Sequence, residues 1–307
     1  MAATRTETEI ASQPECWRQA VETGGGPDAA AALPRKGERV AVAGCGTSWF
    51  VAQSYAALRE AAGHGETDAF AASEFPRGRA SGYDRIIALS RSGTTSEVLA
   101  LLSELRELPA GTVELSAITA DPRTPVMELA DHGGRVLVLD FADEESVVQT
   151  RFATSALALL RASVEGAEPV LAAAAQAERA IAEELPAGTV DAEQWTFLGA
   201  GWSCGLAQEA ALKMREASGA WTEAYPAMEY RHGPISVTAP GRVAWMLGSL
   251  PAGLSEQIAA TGGLAVDDAL DPMADLVRVQ RLAVAVAERR GLDPDHPRAL
   301  TRSVILP

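Results

Sequence analysis

The feature that most constrains the fold is an alternation of apolar strands with helical segments. The segments RVAVAGCGTS, GETDAFAASEF, RIIALSRSG, VELSAITAD and RVLVLDF each contain an apolar run that predicts a strand. Helical patterns lie between them, such as WFVAQSYAALREAAG, TTSEVLALLSELREL and TPVMELADHG. Strands that are apolar throughout and separated by helices are typical of a parallel sheet covered on both faces. We therefore predict an α/β fold built as a three-layer α/β/α sandwich.

An internal repeat predicts a second lobe of the same kind. A shift of 155 positions gives five identities within eleven positions, at a strand-to-helix junction in each half. The pairs are Gly46 with Gly201, Ser48 with Ser203, Ala52 with Ala207, Gln53 with Gln208 and Ala56 with Ala211. We expect a long helical stretch over 147–184 before the second junction. RVAWMLGSL, SEQIAATGG and GLAVDD are expected as parts of the second sheet, and a closing helix over 272–290 follows.

Changes in composition divide the chain into four predicted segments. A helical pattern followed by a Gly- and Pro-containing link predicts an N-terminal arm over 1–35. The first lobe is expected over 36–165, and a linker helix with the second lobe over 166–290. Residues 291–307 are expected to form a tail that closes the active site.

Hydroxyl residues crowd the junction between the third strand and its helix. Ser90, Ser92, Thr94, Thr95 and Ser96 lie within seven positions that also contain a glycine. A single Ser or Thr there is usually a helix cap. A cluster of them, at a helix N-terminus with unpaired amides and partial positive charge, favours an anion-binding loop. CGTS, after the first strand, is a second small-residue loop, and without a GxxxxGK[ST] or GxGxxG pattern the two loops predict a phosphorylated small molecule.

The composition excludes several classes of partner. A formal net charge of −15 disfavours nucleic acid and anionic membrane surfaces, which require clustered Lys and Arg. No run of 18 apolar residues and no apolar leader is present, so we expect a soluble, cytoplasmic protein. The three cysteines and four histidines lack ligand spacing, so we predict no disulfide framework, no metal site and no cofactor.

Seven short motifs, in order along nearly the whole chain, resemble those of the sugar isomerase (SIS) family. They are EIASQP, CGTS, ASEF, SRSGTT, EAALKMRE, EYRHGP and DHPRALTRSV. The resemblance is closest to the isomerase half of glucosamine-6-phosphate synthase and to its stand-alone relatives. It implies two SIS lobes in one chain, a homodimer, and a sugar 6-phosphate as the ligand.

The resemblance also implies the residues that bind the substrate. Ser90, Ser92 and Thr95 would hold the phosphate, with Thr47 and Ser48 nearby, and Arg91 is assigned to the same site. VVQT stands where the family has VAST, so Val147 and Gln149 fall at positions that contact the sugar.

Three further residues match the family's reaction centre. Glu216 matches the glutamate that moves a proton between C1 and C2, and Lys213 matches a lysine near those carbons. His232 matches a histidine that assists ring opening from the neighbouring subunit. The chemistry agrees, since such a proton transfer needs a positioned base and ring opening suits a histidine near neutral pH. The alternatives are a solvated Lys213–Glu216 salt bridge on one helix face and a structural histidine before Pro234.

Two departures from the family separate this chain from a synthase. Arg302, which we keep among the catalytic residues, stands where the synthase has an imine-forming lysine, and a guanidinium remains protonated. No glutaminase segment with an N-terminal nucleophilic cysteine is present, so we do not expect glutamine to supply ammonia. His296 lies in the same tail and is either near the active site or a loop residue.

Four functions remain open at this point. The leading one is an aminosugar-phosphate enzyme that converts glucosamine 6-phosphate to fructose 6-phosphate and ammonia. The same first step on N-acetylglucosamine 6-phosphate would allow a dehydratase to expel water from C2–C3, and plain aldose–ketose isomerisation is a third reading. A non-catalytic sugar-phosphate sensor would require a DNA-binding segment and no base, and neither condition fits this sequence.

Overall fold

The computed structural model describes residues 3–306, and the first of the two sheets in that range has five parallel strands. In chain order they are β1 (Val40–Gly44), β2 (Thr67–Ala71), β3 (Arg85–Leu89), β4 (Glu114–Thr119) and β5 (Arg135–Val138). Their spatial order is β2–β1–β3–β4–β5. The sheet therefore reverses its direction of growth between β1 and β3, and loops at their carboxyl ends border a crevice.

Helices follow most of these strands. The helices of this region are α3 (Thr47–Ala61), α4 (Ser96–Arg106), α5 (Glu128–Asp131) and α6 (Arg151–Glu165). Helix α3 packs against β1, β2 and α6. Apolar side chains of α4 pack with Phe75, Tyr83 and Ile86 in a buried cluster, which anchors the helix that begins at the hydroxyl-rich loop.

The second sheet within the described residues has four parallel strands. They are β6 (Gln194–Gly199), β7 (Thr222–Pro226), β8 (Arg242–Met246) and β9 (Leu264–Val266), in the spatial order β7–β6–β8–β9. Its helices are α8 (Ser203–Ser218), α9 (Leu254–Ala260) and α10 (Pro272–Arg289). Helix α10 packs along α8, over a core that includes Trp195 and Trp245. The α/β prediction with two parallel-sheet lobes is confirmed.

Three other helices complete the described secondary structure apart from short 3-10 turns. They are α1 (Arg5–Gly24), α2 (Pro27–Ala32) and α7 (Ala167–Ala182). None of the helices within residues 3–306 is long and apolar enough to cross a membrane.

The chain forms two compact units that are interleaved along the sequence. The first-sheet unit contains residues 15–145, 151–171 and 301–306. The second-sheet unit contains residues 3–14, 146–150 and 172–300. The four segments drawn from composition stay a prediction.

The predicted repeat is present in the backbone. Strands β1 and β6 end at Gly44 and Gly199, which are 155 residues apart, like the left-handed Gly46 (φ 52°) and Gly201 (φ 55°) that follow. A Cβ atom on Gly44 would lie 2.7 Å from Ser48 Cβ, and one on Gly199 would lie 2.4 Å from the Ser203 carbonyl oxygen. Both junctions therefore require glycine for the same reason, which is the close approach of the following helix.

Four local expectations were wrong in detail. The helical stretch over 147–184 is two helices, because Gly166 adopts φ 86° between α6 and α7. SEQIAATGG contains helix α9 and not a strand. Strand β7 was missed because TEAYP is short and carries a glutamate and a proline. The predicted N-terminal link contains the short helix α2.

Candidate active site

The predicted site residues fall into two groups, one in each unit. The first-sheet unit contains Thr47, Ser48, Ser90, Arg91, Ser92, Thr95 and Arg302. The second-sheet unit contains Val147, Gln149, Lys213, Glu216 and His232.

The loop after β3 is a compact turn built from its own hydroxyl groups. Ser90 Oγ accepts a hydrogen bond from the Gly93 amide at 3.1 Å, and Ser92 Oγ accepts one from the Thr94 amide at 3.2 Å. Gly93 has φ 60°, which glycine tolerates best. Thr95 is the N-cap residue of α4, yet its side chain makes no capping hydrogen bond. The Thr95 hydroxyl instead lies 3.5 Å from both Ser90 Oγ and Ser92 Oγ, and anion binding by this loop stays a prediction.

The loop after β1 opens on the same edge of the sheet. Gly44 and Leu89 are register partners at the ends of β1 and β3, so the following loops are neighbours. Thr47 and Ser48 are buried in the first turn of α3. Burial, followed by the charge of Glu97 in α4, raises the pKa of Cys45 to about 11. The Cys45 side chain is therefore a neutral thiol near pH 7. The contribution of Glu97 shows that Cys45, in the loop after β1, lies near helix α4.

The Arg91 guanidinium lies between the Glu144 carboxylate and the main chain of Arg302. Its Nη1 lies 3.6 Å from the Glu144 carboxylate, and the two side chains are 4% and 0% exposed. Its Nη2 donates a 2.5 Å hydrogen bond to the carbonyl oxygen of Arg302. These contacts involve both terminal nitrogens of the guanidinium, and a direct bond from Arg91 to a phosphate stays a prediction.

Residues 301–306 are the last described part of the predicted segment 291–307, and only these six residues are called the tail below. They lie on the loop after β3. The Ser96 amide, at the start of α4, donates to the Val304 carbonyl at 3.2 Å, and the Leu306 amide donates to Ser96 Oγ at 2.8 Å. Arg302 forms an ion pair with Asp143 and donates from Nε to the Glu144 carbonyl at 3.1 Å. The Arg302 side chain thus anchors the tail, and its predicted part in the reaction stays untested.

The second group centres on a buried lysine in α8. Lys213 forms an ion pair with Glu216, one turn further along, and lies 3.4 Å from Glu209, one turn earlier. The Lys213 and Glu209 side chains are each 1% exposed, whereas the Glu216 side chain is 19% exposed. This arrangement is not a solvated surface salt bridge, because two of its three side chains are buried.

Glu216 lines a cavity of about 320 Å³ within the second-sheet unit. The apolar part of its wall includes Leu212, Leu292 and Leu300. His296 lines the same cavity, and its Nδ1 lies 2.7 Å from the Asp293 carboxylate. His296, for which the sequence allowed either a loop position or a place near the active site, is thus a loop residue that lines the same cavity as Glu216.

His232 is presented outwards. It ends the short 3-10 helix Glu229–His232, which Tyr230 anchors by burial and by a hydrogen bond to Thr238. The His232 side chain is exposed and has no hydrogen bond or ion pair with any residue in the range 3–306. It is therefore available to a ligand or to another subunit, and the predicted role from a neighbouring subunit stays a prediction.

The segment with Val147 and Gln149 is fixed by a buried glutamate. Glu9 Oε1 accepts from the Ser146 amide at 3.2 Å, and the other oxygen accepts from the Ser146 hydroxyl. Val147 and Gln149 themselves are half-buried. Glu9 thus orders the start of the segment whose contact with the sugar stays a prediction.

Sequence reasoning missed several residues of these networks. Glu209 had a signal, since it lies four residues before Lys213 on the same helix face. Asp143, Glu144 and Ser303 had none, because their partners are distant in sequence. No group of histidine, cysteine or acidic side chains suited to a metal ion occurs among the described residues.

Solved structures of other proteins share this fold. The structure matches the Thermotoga maritima protein described as glucosamine-6-phosphate deaminase with a TM-score of 0.80 and 22% identity, over 99% of this chain and 100% of that one. It matches tagatose-6-phosphate ketose/aldose isomerase from Escherichia coli with a TM-score of 0.79 and 17% identity, over 97% of each chain. The fold is that of the sugar isomerase proteins.

The chain also has sequence relatives that are named as aminotransferases. A glutamine–fructose-6-phosphate aminotransferase from a Nostoc species is 28% identical over 87% of this chain and 52% of its own length. One from Sulfolobus acidocaldarius is 30% identical over 66% of this chain and 35% of its own length. The resemblance to the isomerase half of these aminotransferases is confirmed, and the chain spans about half the length of the first of them. No protein-family model matches the chain.

Proposed function

We propose that this protein is an aminosugar-phosphate enzyme that converts glucosamine 6-phosphate to fructose 6-phosphate and ammonia. The observation that carries the proposal is the Lys213–Glu216 ion pair on α8, where the carboxylate stays accessible and lines a cavity. The structural similarity to the Thermotoga maritima protein described as glucosamine-6-phosphate deaminase, over 99% of this chain and 100% of that one, supports this choice of reaction.

The proposed reaction assigns binding and chemistry to different residues. The hydroxyls and helix amides of the loops after β1 and β3 bind the 6-phosphate. His232 assists ring opening, and Glu216 takes the proton from C2 and returns it to C1. This transfer leaves an imine at C2, which water hydrolyses to the ketone and ammonia. Lys213 holds the Glu216 carboxylate in place through their ion pair.

A second candidate is favoured by the wall of the Glu216 cavity. Leu212, Leu292 and Leu300 provide apolar surface that suits the acyl group of N-acetylglucosamine 6-phosphate. An acylated nitrogen is a poor imine former, so the carbanion at C2 would expel the C3 hydroxyl as water. This reaction would be a dehydration that begins with the same proton abstraction.

One incubation separates these functions. The purified chain is mixed with glucosamine 6-phosphate, N-acetylglucosamine 6-phosphate or fructose 6-phosphate, and ammonia, ultraviolet absorbance and sugar products are followed. We expect ammonia and fructose 6-phosphate from the first substrate only. Absorbance from the acetylated sugar without ammonia would establish the dehydratase instead. Binding of these sugars with no turnover of any would favour the sensor.

A further inference from the structure

The tail adds one hydroxyl group to the loop after β3. Ser303 Oγ lies 3.0 Å from Ser92 Oγ and 3.0 Å from Thr94 Oγ1, which are themselves 3.0 Å apart. We infer that Ser303 is a ligand of the substrate's phosphate group, and that Glu144 positions it through Arg91. This inference rests on the proposed function, because it assumes that the loop binds a phosphate.

The Ser303 side chain is not needed to attach the tail. Main-chain groups of Arg302, Val304 and Leu306 already form hydrogen bonds with Arg91 and Ser96. Each hydroxyl of the triangle carries one proton and two lone pairs. The three groups can therefore exchange their mutual hydrogen bonds for bonds to phosphate oxygens, and bonds to a charged acceptor are the stronger ones.

Two consecutive acidic residues determine where the tail lies. The buried Glu144 carboxylate faces Arg91 and also accepts from the Arg151 amide at 2.7 Å. Arg91 in turn holds the carbonyl of Arg302, the residue before Ser303. Arg302 reaches back to the Asp143 carboxylate and the Glu144 carbonyl. The main chain and the side chain of residue 302 are thus both held, and the position of Ser303 follows.

The opposite interpretation is that Ser303 occupies the place of the anion and competes with it. The two interpretations predict opposite signs for Ser303→Ala in the full chain. Isothermal titration with inorganic phosphate and, in the absence of ammonia, with the product fructose 6-phosphate measures the affinity. As a phosphate ligand, Ser303 contributes one hydrogen bond to a charged group, so its loss weakens both affinities about tenfold.

Three controls accompany this variant. Ser303→Thr keeps the hydroxyl and recovers most of the affinity. Thr301→Ala removes an exposed hydroxyl whose hydrogen bond, to the Ser303 carbonyl oxygen, stays within the tail, and it changes the affinity less than about twofold. Glucosamine without its phosphate binds the Ser303→Ala variant and the unaltered chain equally.

The outcomes distinguish this inference from the proposed function. Equal or tighter phosphate binding by the Ser303→Ala variant, beside normal binding by the unaltered chain, overturns the inference alone. An unaltered, folded chain that binds neither sugar phosphate nor phosphate overturns both.

The positioning role of Glu144 is tested by a double-mutant cycle. Glu144→Gln removes the charge that holds Arg91, and we expect phosphate affinity to fall about fivefold in the unaltered chain and less than about twofold in the Ser303→Ala variant. Equal losses in the two backgrounds would mean that Glu144 is merely structural, and would overturn its positioning role.

Discussion

The β1–α3 and β6–α8 junctions share a backbone and differ in chemistry. Each has a strand that ends on glycine and a left-handed glycine two residues later. At the 155-residue offset, however, Glu209, Lys213 and Glu216 of α8 correspond to Ser54, Leu58 and Ala61 of α3. The first junction therefore lacks the carboxylate–lysine network of the second.

The loops after β3 and β8 differ in the complementary way. The loop after β3 contains five hydroxyl residues between positions 90 and 96, whereas Ser249 is the only hydroxyl residue between positions 247 and 253. The two halves thus share the positions where the backbone needs glycine and differ in the side chains around them. It supports one phosphate site in the first-sheet unit and acid–base chemistry in the second.

The largest expected effect comes from the network that only α8 has. Glu216→Gln removes the proposed base, so we expect kcat to fall about 10³-fold while the affinity for the sugar phosphate changes little. Glu256→Gln, on the exposed face of α9, is the matched control and keeps normal turnover. Ammonia release and titration calorimetry measure the two quantities, and near-normal turnover by the Glu216→Gln variant would refute the assignment.

The next effect tests the backbone of the loop that only the first sheet carries. A Cβ atom on Gly93 would lie 2.1 Å from Thr124 Oγ1, at φ 60°. We expect Gly93→Ala to lower the free energy of unfolding by about 3 kcal/mol, from strain and clash together. Gly111 has φ 80°, and an added Cβ atom there would contact nothing. Gly111→Ala therefore measures the backbone strain alone, which we expect to lower the free energy of unfolding by about 1 kcal/mol. Urea unfolding measures both, and equal losses would show that Thr124 moves aside.

The third effect concerns a buried acid of the second-sheet unit. Burial is the main cause that raises the pKa of Asp275 from 3.8 to about 7, and the Trp245 indole donates to it at 3.0 Å. Between pH 3.8 and about 7 the folded protein keeps this proton, whereas the unfolded chain has released it. The contribution to stability is therefore full below pH 3.8, falls as the pH rises, and is lost once the pH has passed 7.

The free energy of unfolding should therefore fall by about 2 kcal/mol between pH 5 and pH 7. Asp275→Asn still accepts the Trp245 hydrogen bond and should flatten this dependence, as urea midpoints at the two pH values would reveal. Arg278, Asp267 and Asp268 are the neighbouring charges. An unchanged slope in the variant would assign the pH dependence to another group.

The smallest effect compares the two loops directly. Ser92→Ala should weaken the binding of glucosamine 6-phosphate about tenfold, the value of one hydrogen bond to a charged group. Ser249→Ala, in the loop after β8, should have no measurable effect. A loss of affinity in the second variant would show that both lobes bind the ligand.

The sequence predicted those parts of the molecule that depend on local chemistry. The apolar runs of β1, β3 and β6 predicted a parallel sheet, since a strand buried on both faces lacks the regular alternation of apolar and polar residues. Gly46 and Gly201 marked the two junctions, and the hydroxyl cluster before α4 marked an anion loop. Strand β7 escaped because Glu223 and Pro226 interrupt its apolar pattern.

The tertiary structure decided the contacts between distant residues. Glu144 was one acidic residue among many in the sequence, and only folding buries it against Arg91. Ser303 is 211 residues from Ser92, and Glu9 is 137 residues from Ser146. Local propensity contains no information on such pairs, because a buried charge or hydroxyl takes the partner that packing brings to it. The sequence alone determined most of the strands and helices and the two glycine junctions, and packing determined which side chains meet there.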